Sequence, residues 1–290
     1  MPIRTPLRTH WISLPLLAML GACGGGGPTE SDSEDPEFPE LVERTFMTYN
    51  VRMVGTHEDT LSECPERFGA VMEILALHQP DVIGIQEAFQ WGVGDLPLVD
   101  SVAQALGMRA GLTLSYAPPG EAVQRELVLL TKFQVTAVDT LDPDLWHSDG
   151  FPASSPFLRV SLRDDLGEPW IVYVLHLNTP ASNMYLVLRE WVRENILASP
   201  DTFAVLLGDF NTPVGEMSTY LPGWWNVAYN TRLSQKYHGK SEPIDQICVS
   251  GDTSRIPYRS VIDLYRGHEV LFDSASDHHP VEVALRHSKR

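Results

Sequence analysis

The chain has 290 residues, of which 43% are hydrophobic and 20% charged, an ordinary globular mix with room for one large domain or two small ones. Its formal charge of −17 excludes a polycation built to grip nucleic acid, and so argues against a simple DNA-binding module. A nuclease with a locally basic groove stays compatible, because a bound cation offsets part of the repulsion.

Arg4 and Arg8 precede the apolar stretch 11–20. That stretch is half of the roughly 20 residues a membrane-spanning helix needs, and it suits the apolar region of a secretory signal. It ends in Leu20-Gly21-Ala22-Cys23, which resembles a bacterial lipobox. The resemblance implies removal of residues 1–22 and lipidation of Cys23; a plain signal peptide with a chance cysteine is the alternative. Gly24 after Cys23 points, by the same resemblance, to the outer membrane, facing the periplasm or the cell surface. Residues 23–43 are rich in Gly, Pro, Ser, Asp and Glu, and read as a flexible acidic tether.

Residues 44–286 read as one domain without internal repeat. Strands are predicted over 45–51, 81–85, 108–114, 127–131, 135–141, 157–162, 170–177, 203–207, 244–249 and 281–285. Several are apolar throughout, as Ile171 to Leu175 is, which suits strands buried on both faces. Phe68, Val71, Met72 and Leu75 share a helical stripe that Pro80 ends, and Met184, Val187, Leu188 and Trp191 form a second. Doubly buried strands with few helices predict two packed sheets under outer helices, an α/β sandwich. Cys64 and Cys248 either pair or remain free, Cys248 as a buried thiol in the run Ile247-Cys248-Val249. Trp224-Trp225 reads either as a membrane-interface patch or as ordinary packing.

Polar clusters stand at the ends of these apolar runs. Asn50 closes the first strand and Glu87 the second; a carboxylate at the mouth of a buried strand is costly unless paired or on a metal, and hard oxygen ligands suit Mg²⁺. His176 lies inside an apolar run, as a core histidine or a phosphate-facing donor. Asp209 and Asn211 follow Gly208, either as an Asx-turn or as groups that position a water and contact phosphate. Gly208 reads as a sharp turn or a close approach to a ligand. Asp277 and His278 precede Pro280; an imidazole there needs an orienting partner, for which Asp245 is a candidate.

In order, Asn50, Gln86-Glu87, His176-Leu177, Gly208-Asp209-Phe210-Asn211, Ile244-Asp245 and Ser276-Asp277-His278 resemble the endonuclease/exonuclease/phosphatase superfamily. The resemblance implies a deoxyribonuclease I-like four-layer α/β sandwich and a divalent cation, Mg²⁺ in the first place and Mn²⁺ or Ca²⁺ in the second. It implies Glu87 as the main metal ligand, with Asn50 and Asp277 beside the ion. His278, oriented by Asp245, is implied as general base or phosphate contact. Asp209 and Asn211 are implied to position the water and stabilise the transition state, and His176 to face the phosphate or act as general acid. Arg125-Glu126 resembles the Arg-Glu segment of the deoxyribonuclease I branch, where the arginine contacts phosphate. Gln246 departs from the aromatic or basic residue frequent after the Ile-Asp pair.

The expected activity is metal-dependent hydrolysis of phosphate esters outside the cytoplasm, as a phosphodiesterase or nuclease. Sphingomyelin or phospholipid phosphodiesterase, and sugar or inositol phosphatase, are the alternative substrate classes. A catalytically inactive binding module of the same fold is the alternative of another kind. The expected partners are a phosphate-ester substrate (nucleic acid, a phospholipid headgroup or a small phosphodiester) and a membrane, through the anchor on Cys23, with the protein a monomer.

Overall fold

In chain order the elements are β1 (Leu41–Val54), α1 (Cys64–His78), β2 (Val82–Ala88), α2 (Leu98–Ala105), β3 (Ala110–Tyr116), β4 (Arg125–Thr131), β5 (Gln134–Leu141), β6 (Phe157–Arg163), β7 (Pro169–His176), β8 (Phe203–Asp209), β9 (Trp225–Tyr229), β10 (Asp245–Ser250), β11 (Tyr258–Ile262), α3 (Glu269–Ala275) and β12 (Val281–Ser288). The computed structural model describes residues 40–54, 64–92, 97–116, 125–141, 156–177, 202–211, 224–229, 244–250, 258–262 and 269–288. Cys23, the tether and the helical stripe from Met184 to Trp191 lie outside the described residues.

Alternation along the strands builds two cores. On β1, Met47, Tyr49 and Val51 join a cluster that also holds Val71, Ile74 and Leu75 of α1, Val99 and Val102 of α2, and Phe272 of α3. Phe46, one residue out of phase, joins a second cluster with Leu127 and Leu129 of β4, Val172 and Val174 of β7, Val205 and Leu207 of β8, and Ile247 of β10. The first core lies between a sheet and its helices, the second between two sheets. One sheet has the order β11-β12-β1-β2-β4-β3 and the other β5-β6-β7-β8-β10-β9. Among the described residues the parallel pairs are β1 with β2 and β7 with β8. Parallel partners finish at the same edge, so four strand ends meet at one side of the molecule.

Gly84 sets how closely the sheets meet. A Cβ there would stand 2.8 Å from the Leu207 Cβ, a contact real side chains do not make. Gly208 has another cause than the sharp turn or close ligand approach read from the sequence: a Cβ there would lie 2.5 Å from the Leu175 carbonyl oxygen on neighbouring β7.

The α1 stripe packs as its period predicts, and the helix ends where Gln79 turns left-handed with φ 47° and donates its backbone N–H to the Leu75 carbonyl at 3.0 Å, just before Pro80. Sequence reading did not find β9, β11, α2 or α3. The two strands have 5 residues each and form sheet edges, while the two helices have 8 and 7. None is long enough to display a period. Trp225 of the Trp pair opens β9. Cys248 is a buried free thiol, which settles the question of its pairing.

Candidate active site

The rows of side chains between the sheets are apolar until they reach one edge, where they turn polar. On β7 the row runs Trp170, Val172, Val174, then His176; on β8 it runs Phe203, Val205, Leu207, then Asp209. On β4 and β10, which run the other way, Arg125 precedes Leu127 and Leu129, and Asp245 precedes Ile247 and Val249. On β3, Tyr116 follows Leu112 and Leu114. Asn50 closes the corresponding row of β1 after Phe46 and Thr48. Alternation alone thus delivers these side chains into one pocket.

Asn50 joins the sheets. Its fully buried amide nitrogen donates to Glu87 Oε1 at 3.2 Å and to Asp209 Oδ2 at 3.1 Å. Its side-chain Oδ1 accepts from the Arg52 backbone N–H at 2.9 Å. Glu87 reaches this pocket by breaking the alternation. In phase it would lie with Ile83 and Ile85 on the helix face, but its φ of 54° and irregular pairing on both sides redirect the side chain. Arg52 (φ 46°) and Asn211 (φ 49°) are also left-handed. Backbone of this kind costs on the order of 1–3 kcal/mol per residue and gathers at functional sites.

Glu87 Oε1 lies 3.3 Å from Arg125 Nη1 and 3.6 Å from His176 Nε2. Burial pushes its carboxyl up, but His176, Arg125 and the Asn50 amide hold it below the usual carboxylate range. Asp209 is raised, by burial and then by Asp245 nearby, with His278 and His176 opposing. Asp209 Oδ1 accepts the Asn211 backbone N–H at 2.8 Å, so the Asx-turn considered for this loop exists and lies inside the pocket. The Asn211 amide donates to the Leu177 carbonyl at 2.6 Å. His278 Nδ1 is 2.9 Å from Asp245 Oδ2 and 3.8 Å from Asp209 Oδ2. Burial pulls this imidazole down, Asp245 more than reverses the effect, and the ring is pushed up to about 10. Asp277 adjoins the same group, 4.0 Å from His278 Nε2 and 3.4 Å from Arg52 Nε.

Four residues have supporting roles that the sequence did not assign. Ser276 Oγ donates to the Asn50 carbonyl at 2.8 Å and accepts the His278 N–H at 3.2 Å, tying the two segments together. Arg67 of α1 donates to the carbonyls of Arg52 at 2.9 Å, Val51 at 3.3 Å and Ala275 at 3.4 Å. The buried Glu126 carboxylate accepts from the backbone N–H of Trp91 at 2.6 Å and of Gly92 at 3.2 Å, pinning the turn that follows Glu87. Tyr116 Oη is 3.0 Å from His176 Nδ1. Tyr116 was legible as the polar end of the row Leu112-Leu114-Tyr116; Arg67 carried no such signal.

The donor set fits a divalent cation. Asp245 Oδ1 and Asp277 Oδ1 are buried with no hydrogen-bond partner among the described residues, a costly state that a cation would relieve. Ligand atoms of Asp209, Asp245 and His278 lie within 4.8 Å of one another. Carboxylate oxygens from Glu87, Asp209, Asp245 and Asp277 are the hard ligands a divalent ion of the Mg²⁺ type takes, while the Asn50 oxygen is engaged by the Arg52 N–H.

No curated protein matches the chain by sequence. Among solved structures, truncated TDP2 of Caenorhabditis elegans superposes with a TM-score of 0.61 at 19% identity, over 84% of this chain and 97% of that one. An endonuclease/exonuclease/phosphatase family protein of Bacteroides thetaiotaomicron gives 0.61 at 17%, over 86% and 97%. ANGEL2, described as a 2',3'-cyclic phosphatase, gives 0.60 at 13%, over 85% and 95%. These likenesses show the fold, the four-layer deoxyribonuclease I-like sandwich expected from the sequence. The sequence model of the endonuclease/exonuclease/phosphatase family matches residues 47–278, a span running from β1 to the histidine that faces Asp245. The chain therefore belongs to the endonuclease/exonuclease/phosphatase family.

Proposed function

We propose that the chain is a divalent-metal-dependent phosphoric ester hydrolase, acting as a phosphodiesterase. The observation that carries this reading is the meeting of Asn50, Glu87, Asp209 and the His278–Asp245 pair across two sheets, with carboxylate oxygens that have no donor among the described residues. Glu87, Asp209 and Asp277 would hold the cation, with Asn50 beside them orienting Glu87 and Asp209 through its amide N–H groups. When bound, the cation neutralises charge on the phosphoryl oxygens.

The remaining work falls to the side chains. Asp245 accepts the Nδ1–H of His278 and favours the protonated ring, whose Nε2–H donates to a phosphoryl oxygen, where negative charge grows. Of the two roles considered for His278, its raised pKa favours the phosphate contact over the general base. Asp209, raised toward neutrality, accepts a proton from the attacking water. Its orientation is kept by the Asn50 amide and the Asn211 backbone N–H. Arg125 and His176 border the Glu87 side of the pocket and donate to the substrate phosphate.

Release of p-nitrophenol from bis(p-nitrophenyl) phosphate by the purified protein tests the reading. Activity should appear with Mg²⁺ or Mn²⁺, vanish in EDTA and return on re-addition. Equal turnover in EDTA removes the metal dependence, and none with any divalent ion makes the domain a binder. Parallel assays on DNA, RNA, sphingomyelin and inositol phosphates separate the substrate classes. Action outside the cytoplasm, tethered to a membrane, is part of the proposal and rests on the Leu20-Gly21-Ala22-Cys23 segment. A Cys23→Ser protein should then be released as soluble material, and unchanged membrane fractionation removes the anchor.

A further inference from the structure

The two pocket histidines have partners of different chemistry. His278 Nδ1 faces the Asp245 carboxylate, which only accepts. His176 Nδ1 faces the Tyr116 hydroxyl at 3.0 Å, which can donate. The opposite nitrogen of His176 points between two acidic groups, 3.6 Å from Glu87 Oε1 and 3.7 Å from Asp209 Oδ2.

We propose that Tyr116 is a positioning residue that fixes the tautomer of His176, donating its O–H to Nδ1 so that Nε2 carries the hydrogen. A bare Nε2 would aim its lone pair at two carboxylate oxygens. An N–H there is attracted by both, and the neutral ring must then present Nδ1 as an acceptor. The phenol supplies the donor, and it is held in place because Tyr116 ends the row Leu112-Leu114-Tyr116 packed on the core between the sheets. His176 is itself buried at the end of β7, with 4% of its surface exposed, so its ring does not turn freely to trade partners through solvent. Resting on the phosphate-ester reading of the pocket, the assignment makes His176 a hydrogen-bond donor to a substrate oxygen through Nε2–H. An Nδ1–H tautomer would present a lone pair there and repel the same oxygen.

The test is the nitrogen spectrum of the imidazole. Full-length protein labelled with ¹⁵N-histidine is recorded by long-range ¹H–¹⁵N correlation at mildly alkaline pH, and the His176→Gln spectrum identifies the ring. The expected pattern has a pyrrole-type Nε2 and a pyridine-type Nδ1. In Tyr116→Phe the two signals should move toward each other as the tautomers mix. With bis(p-nitrophenyl) phosphate, kcat should fall about 10–100-fold, as for partners that orient a site histidine, while KM is unchanged. A wild-type ring protonated at Nδ1, or a tautomer indifferent to Tyr116→Phe, overturns the assignment. The wild-type spectrum decides alone if Tyr116→Phe does not fold. A protein with the expected tautomer and no phosphate-ester turnover removes the hydrolase reading and leaves the Tyr116 assignment standing.

Discussion

Away from the pocket, at the opposite ends of the same strands, Asp164 accepts from Arg44 Nε at 2.9 Å and from the backbone N–H groups of Leu166 at 3.0 Å and Glu168 at 2.9 Å. Asp81 likewise accepts from the Thr45 backbone and hydroxyl and meets Lys132 at 3.3 Å. At the pocket end, Glu87, Asp209, Asp245 and Asp277 share the Asn50 amide, two imidazoles and two arginines, and one oxygen each of Asp245 and Asp277 has no donor among the described residues. Both ends bury carboxylates. At one, Asp164 and Asp81 are each satisfied by their own donors, whereas the other collects more negative charge than its own donors balance. Such a surplus opposes folding and is useful only where a cation or a reacting phosphate enters.

Substitutions at four positions would break or sharpen this contrast. The largest effect is expected from Glu87→Ala or His278→Ala, which should lower kcat/KM by a factor on the order of 10²–10³ or more. In Glu87→Ala the melting temperature should barely move, because a surplus carboxylate is removed, whereas His278→Ala should lower it, because the Asp245 carboxylate loses its imidazole partner. A large loss of stability with the rate retained would make the pocket a structural feature like the opposite end. Asp164→Ala should do the reverse. Leaving Arg44 without its buried partner should cost about 3–5 kcal/mol, or roughly 2–4 °C in Tm for each, with kcat unchanged in the folded fraction. A stable Asp164→Ala protein would mean that Asp165, which also contacts Arg44, carries that end.

The smallest effect concerns Glu282, a buried carboxylate outside the pocket whose Oε2 has no hydrogen-bond partner among the described residues. It lies 3.5 Å from His78 Nδ1. Burial, and then Asp81, push its carboxyl from its ordinary 4.5 up to about 7. A raised carboxyl favours folding below its unfolded-state value, and that contribution is lost as pH climbs through the folded one. Glu282→Gln should therefore raise Tm by roughly 2–4 °C near pH 8 and change it little near pH 5. A lower Tm near pH 8 would show that the His78–Glu282 ion pair outweighs burial.

Much of this was written in the sequence as period. Apolar residues on both phases of Ile171 to Leu175 announce a strand covered on two faces, and two sheets follow. The polar ends of those runs are where the pocket lies, so position singled out Asn50, Asp209 and Asp245, whereas His176, inside its run, read equally as a core histidine. Glu87 was legible as a strand end, but the left-handed backbone that turns it away from the helix face was not, since no glycine marks the position. Arg67 escaped because its role is to reach three carbonyl oxygens that are distant in sequence and carry no side-chain signature. β9 and β11 escaped because edge strands of 5 residues borrow their order from a neighbour.

The Asn50 amide has a consequence for what the chain can tolerate. Its nitrogen serves Glu87 and Asp209, and its oxygen serves the Arg52 backbone. Aspartate has the same outline, yet it would set an anion against two others at the seam between the halves of the domain. A histidine or serine would match the polarity but not the reach. Spontaneous deamidation of this one residue would convert an attraction into a repulsion without altering the shape of a single side chain, and the seam would open from inside.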